Sequence, residues 1–170
     1  EFNKDENERF VNIIKSGDLS QIELLFESGV DINQTFDGDG TPLIVAVLNG
    51  NKELVEYLVS RGANVNQESI QDGNPLIVAA STNNIELVDF LYQQGAQLDA
   101  IVEHDETALI TASRAGHFQV VRYLVENGAD VNLAVEAKTI RGTEWRSPLN
   151  GAKTNKIRNF LLANGALEKI

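Results

Sequence analysis

Hydrophobic positions along this chain follow two alternating patterns. A short run with almost no polar residue, Leu43-Ile44-Val45-Ala46-Val47, is followed across Asn49-Gly50-Asn51 by a stretch whose apolar residues Leu54, Val55, Leu58 and Val59 fall on one helical face. The same pair returns as Leu76 to Ala80 with Leu87, Val88, Leu91 and Tyr92, and again as Leu109 to Ala112 with Val120, Val121, Leu124 and Val125. Ile22, Leu25 and Phe26 supply the amphipathic half of an earlier unit. A helix that is apolar all round has no face suited to water, so the first helix of each pair must lie between neighbours.

The repeat length is 33 residues. Thr41, Asn74 and Thr107 each precede a Pro-Leu or Ala-Leu step, and Gly29, Gly62, Gly95 and Gly128 each close a segment, all at that spacing. Fixed self-similarity of this size marks a stacked array whose units touch only their neighbours. The predicted fold class is therefore all-α, a solenoid of about five helix pairs with projecting β-turn fingers. The units are expected at about 4–33, 34–66, 67–99, 100–132 and 133–170, forming one domain, with residues 1–3 read as a cloning remnant or a disordered lead.

Local chemistry agrees with this division. Thr41 before Pro42 is an N-cap followed by proline at the first helical position, and Pro42, Pro75 and Pro148 are the three prolines of the chain. Asn83 stands in register with Gly17, Gly50 and Gly116 and suits the same left-handed turn. Asp18, Asn51 and Asn84 are expected to cap the second helices, with His117 as a weaker cap in the same place. Tyr57, Phe90, Tyr123 and Phe160 share one position and are expected to line up as an aromatic column, while Asp39, Asp72 and Asp105 suit backbone acceptance in the turns.

Charge adds a polarity to the array. The net charge of −11 argues against a duplex nucleic acid partner, because phosphate neutralisation by Lys and Arg supplies most non-specific affinity. Residues 1–132 hold 22 acidic and 7 basic side chains, whereas residues 133–170 hold 3 and 7, so the last unit stands at +4 against −15. That imbalance reads either as solubility or as steering toward a protein partner with a basic surface or an end-on contact. Leu43 to Leu48 is the longest apolar run, far below the ~20 residues of a membrane span, and no membrane contact is expected within this segment. Zero cysteines exclude disulfides and thiol chemistry, and the chain is expected to be a cytoplasmic monomer.

A helix pair with Thr-Pro-Leu at its start, as at Thr41, and Gly-Ala-Asp-Val-Asn at its end, as at Gly128, resembles the ankyrin repeat from about Glu6 to Ala166. The histidine usual after Thr-Pro-Leu is replaced by Ile44, Ile77, Ile110 and Asn150, so its hydrogen bonds do not carry over. The first unit lacks the Thr-Pro-Leu start and opens polar, as terminal capping repeats do. The resemblance implies a protein-binding module whose contacts come from finger tips and from the exposed side of the first helices. On this chain those are Phe36, Asp37, Glu68, Ile70, Ile101 and Glu103 on the fingers and Leu48, Ser81 and Arg114 on the helices. Phe36, Ile70 and Ile101 are expected as exposed apolar tips, packing between adjacent fingers being the other reading.

The period breaks once. Asn132 to Ser147 takes fifteen steps where the three earlier junctions take eight, so residues 133–146 form an enlarged finger holding Arg141, Arg146 and Trp145, the one tryptophan. Alternation through Val131, Leu133 and Val135, then Thr143 and Trp145, predicts a hairpin turning near Arg141-Gly142. Trp and Arg favour a binding role, and an indole folded back over the end of the stack is the alternative. Ser147 to Gly165 spans 18 steps against 21 for Thr41 to Gly62, which predicts a shortened C-terminal cap.

No catalytic constellation is present. His104 and His117 have no third nitrogen or sulfur ligand at a suitable spacing, and Glu103, Asp105 and Glu106 read as a solvated acidic tip. No metal, cofactor or catalytic residue is expected, and the chain is expected not to be an enzyme. Two rival readings remain. The run Glu144-Trp-Arg-Ser-Pro-Leu resembles ankyrin tails of bacterial membrane metallopeptidase regulators, which implies a regulatory or targeting module of a larger enzyme or membrane-linked receptor. The other is a structural spacer without a foreign ligand.

Overall fold

The computed structural model describes residues 3–69, 73–102, 106–139 and 142–168. Four helix pairs follow one another: α1 (Lys4–Ser16) with α2 (Leu19–Glu27), α3 (Pro42–Leu48) with α4 (Lys52–Ser60), α5 (Pro75–Ser81) with α6 (Ile85–Gln93), and α7 (Ala108–Ala115) with α8 (Phe118–Glu126). A two-stranded antiparallel hairpin, β1 (Val135–Thr139) and β2 (Gly142–Arg146), precedes the last helix, α9 (Asn155–Ala163). The fifth unit thus keeps its second helix, while Pro148 to Gly151 form a turn where the first helix would stand. The three residues missing from that unit shorten it at this point.

The first helices stack as one row, α1 on α3, α3 on α5 and α5 on α7, which is where the all-apolar runs are consumed. In α3, Pro42 to Val47 are all buried and only Leu48 emerges; in α5, Pro75 to Ala80 are buried. The second helices bury one face each, such as Leu54, Val55 and Leu58 of α4, and keep the other in solvent. Burying each Leu, Ile or Val side chain stabilises the stack by about 1.5–3 kcal/mol, and no single centre collects them.

Caps set the helix starts as the residue types predict. Thr41 Oγ1 accepts the Ile44 N–H at 3.2 Å, Asn74 Oδ1 the Ile77 N–H at 2.9 Å, and Thr107 Oγ1 the Ile110 N–H at 3.2 Å, all three caps being buried. Asn3 forms a capping box with Glu6 at the start of α1. His117 makes no side-chain cap; its Nε2–H donates to the Ser81 carbonyl of the preceding unit at 2.9 Å. Asn83 has φ +58°, the left-handed value its register with the glycines implies.

The aromatic residues pair across units on a diagonal. Tyr123 meets Tyr92 edge-on at 6.2 Å and Phe160 meets Phe118 at 5.5 Å, so members of the expected column contact residues outside it.

Candidate interaction surface

Three exposed residues stand in the last turn of the first helices at the 33-residue step: Leu48 on α3, Ser81 on α5 and Arg114 on α7. Because α3, α5 and α7 lie side by side, these positions form one row carrying an aliphatic, a hydroxyl and a guanidinium group. His117 bonds the Ser81 carbonyl and thereby fixes the end of α5 within that row. Leu48 is 56 % exposed, which is unusual on a helix otherwise wholly buried.

The fingers contribute unevenly. Asp37, Glu68 and Ile101 are exposed, as expected. Phe36 is not an exposed tip: it is fully buried, its ring 6.3 Å from that of Phe10, and its backbone exchanges hydrogen bonds with Gly40 at the base of the turn. Ser69, Val102 and Val135 occupy the same register and are buried as well, so this position is the root of every finger. Asp39 spends its carboxylate on Lys15 Nζ at 2.9 Å instead of on the turn backbone. Ile70, Glu103 and Arg141 lie outside the described residues, together with Asp72, His104 and Asp105.

Glu106, expected as part of a solvated acidic tip, is not solvated. Its side chain is only 8 % exposed and accepts from two guanidinium groups, Arg114 and Arg146, the latter at 2.7 Å. Arg146 also donates through Nε to Glu144 at 2.8 Å. The Glu144 and Glu106 carboxylates push the Arg146 guanidinium further above its ordinary value, the bond to Glu144 contributing most. Gly151 lies beneath this cluster, where an added Cβ would stand 2.6 Å from Arg114 Cγ, so the glycine admits the arginine stem. Arg114 and Arg146, read from the sequence as binding cations, are thus partly committed to holding the hairpin against α7.

Strand alternation places Glu144 and Arg146 on one face of β2 and Trp145 on the other. Trp145 does not cover the end of the stack: it is 61 % exposed. Its backbone is nevertheless fixed, because the Asn150 side chain donates to the Trp145 carbonyl at 2.6 Å. Beside it opens a groove of about 520 Å³ lined by Val131, Leu149, Trp145, Leu167 and the ion-paired Arg158 and Glu168. Spacing had indicated the hairpin, but nothing in the sequence marked Leu167 as its companion.

Among the described residues no group of three or more His, Cys, Asp or Glu side chains is placed to hold a metal ion, and no helix is long and apolar enough to cross a membrane. A family model described as ankyrin repeats in three copies matches residues 10–101 and 68–135. A search of curated proteins found no match.

Proposed function

The chain belongs to the ankyrin-repeat family, and from that membership we propose that it binds a partner protein through the row formed by Leu48, Ser81 and Arg114 and the exposed finger residues beside it. Ankyrin repeats are generally protein–protein interaction modules and are typically non-catalytic. The observation that carries the reading is Leu48. Six of the seven residues of α3 are buried, and the seventh is an aliphatic side chain turned to solvent in line with Ser81 and Arg114. Ile101 adds a second exposed apolar group, 49 % accessible, at the base of a finger. Asp37 and Glu68 give this side acidic character, which fits a partner with basic surface.

The test places a photo-crosslinking residue at position 48, 81 or 101, and at Glu56 on α4 as the control, and compares capture from source-cell lysate. A single protein captured at the first three positions and not at Glu56, and lost in Leu48→Asp, is the expected result. Equal capture from all four positions overturns the assignment of this surface.

A further inference from the structure

We propose that Asn49 is a site of spontaneous covalent modification, where the main-chain nitrogen of Gly50 attacks the asparagine carboxamide and the folded chain deamidates ahead of its other Asn-Gly steps. The chain holds four such steps, beginning at Asn49, Asn127, Asn150 and Asn164. In each, the glycine has no Cβ to obstruct ring closure. The residue pair alone ranks the four alike, and the fold separates them. The Asn127 amide donates to the Tyr123 carbonyl at 2.8 Å, and the Asn164 amide to the Phe160 carbonyl at 2.8 Å. Asn150 is held at both ends of its carboxamide, Nδ2 donating to the Trp145 carbonyl at 2.6 Å and Oδ1 accepting the Ser147 N–H at 2.7 Å. Asn49 stands exposed at the end of α3, and its side chain makes no hydrogen bond among the described residues. The attacking nitrogens do not account for the difference, because each of the four glycine N–H groups bonds a carbonyl three or four residues back at 2.9 to 3.1 Å. What distinguishes Asn49 is the freedom of its carboxamide to turn.

The step needs no reagent but water. The Gly50 nitrogen gives up its proton and bonds to Asn49 Cγ, the Cγ–Nδ2 bond breaks, and ammonia leaves with that proton as a succinimide ring closes. Water then opens the ring at either carbonyl, giving aspartate at position 49 or isoaspartate, whose main chain runs through Cβ and Cγ. Nothing is oxidised or reduced. Attack requires the bond from the Gly50 N–H to the Val47 carbonyl to open, an excursion local to an exposed turn. It also requires the carboxamide to rotate toward that nitrogen, which a hydrogen bond of ordinary net strength opposes by about twofold to tenfold. Either product sets a carboxylate beside Leu48 at the negative end of the α3 dipole, and isoaspartate also lengthens the main chain between α3 and α4. That this alters a partner surface rests on the reading of Leu48 given above; the chemistry itself does not.

The experiment incubates the full chain at mildly alkaline pH, below its melting temperature, and follows each Asn-Gly step by peptide mapping. Aspartate and isoaspartate are resolved by chromatography, and released ammonia is measured in parallel. The expected result is conversion at position 49 about fivefold ahead of positions 127 and 164, with position 150 last. The same chain in urea is the control: with the bonds of the folded state gone, the four steps should convert at comparable rates. Asn49→Gln should remove the leading phase of ammonia release and leave the melting curve where it was, since the carboxamide it replaces holds nothing in place. Conversion led by position 127, 150 or 164 overturns the proposal. So do equal rates at all four steps of the folded chain, and so does the folded order persisting in urea. An unmodified Asn49 in a folded sample whose unfolded counterpart has fully converted overturns it as well. Mapping needs no partner, so its outcome is separate from that of crosslinking at positions 48, 81 and 101.

Discussion

The Oδ1 atom of Asn132 accepts the backbone N–H of Leu167 at 2.8 Å across 35 positions of sequence. At the three earlier junctions the equivalent bond spans 31 positions, from Asn33 to the N–H of Asn64, from Asn66 to Gln97 and from Asp99 to Asp130. Seven residues gained in the last finger and three lost from the turn and helix after it make up the difference of four. The inter-repeat ladder therefore survives the one break in the period, which means that the insertion is absorbed entirely by the hairpin.

Asn132 also donates through Nδ2 to the Gly165 carbonyl at 3.0 Å, so it holds the last unit by two bonds. Asn132→Ala is expected to lower stability by about 1–2 kcal/mol, nearer the lower figure because both bonds are exposed. Asn33→Ala, which loses the single bond to Asn64, should cost about half as much. Amide hydrogen exchange locates the effect: faster exchange confined to α9 and residues 165–167 is expected for Asn132→Ala, and uniform acceleration along the chain would contradict a local role.

Glu106 and Arg146 stand at equivalent places in adjacent units, each immediately before its cap residue, Thr107 or Ser147. The buried carboxylate of Glu106 is the common acceptor of Arg114 and Arg146, so its removal undoes both contacts together. Glu106→Ala is expected to cost about 1–3 kcal/mol, read by urea unfolding, while Arg146→Ala costs less because Arg146 is already partly solvated. In the Glu106→Ala background, Arg146→Ala should have little further effect. Additive losses in the double variant would show that the two residues do not act through each other.

Much of this was legible in the sequence, and the misses have a common cause. Thr41 and Asn74 as caps, Pro42 and Pro75 at helix starts, Asn83 in a left-handed turn, and the hairpin after Asn132 all depend on residues within a few positions of one another. Pro148, in contrast, opens a turn and not a helix, because the three missing residues leave no length for one. Phe36, whose apolar character in a turn suggests a tip, is placed instead by its register at the root of the finger. Its equivalents Val102 and Val135 already pointed inward. The Glu106 cluster was missed because its members are 8 and 40 positions apart, and the longer distance includes the irregular finger. Which face of β2 is left to water depends on what lies beside the array, and no local pattern encodes that.

Tyr123 donates its phenolic hydrogen to Asp89 of the preceding unit at 2.6 Å. Burial first, and then the Asp89 hydrogen bond, push this phenol from 10 up to about 12. A group whose folded value is raised stabilises the fold fully below its unfolded value, here below pH ~10, and that contribution is lost as pH rises toward 12. The parent chain should therefore lose stability across that window in a component that Tyr123→Phe lacks. Denaturation midpoints between pH 8 and 12 for the two chains check this, and parallel curves would remove Tyr123 from the alkaline response.

Phe36 and Trp145 are both finger aromatics, and the structure assigns them opposite roles. Phe36 is fully buried against Phe10, so Phe36→Ala empties a ring-sized volume between two units and is expected to cost about 3–5 kcal/mol. Trp145 is mostly in solvent and its fixed backbone depends on Asn150, not on the indole, so Trp145→Ala should change stability by no more than about 0.5 kcal/mol. Urea unfolding of the two variants side by side decides the matter. A Trp145→Ala loss as large as that of Phe36→Ala would mean that the indole caps the stack after all.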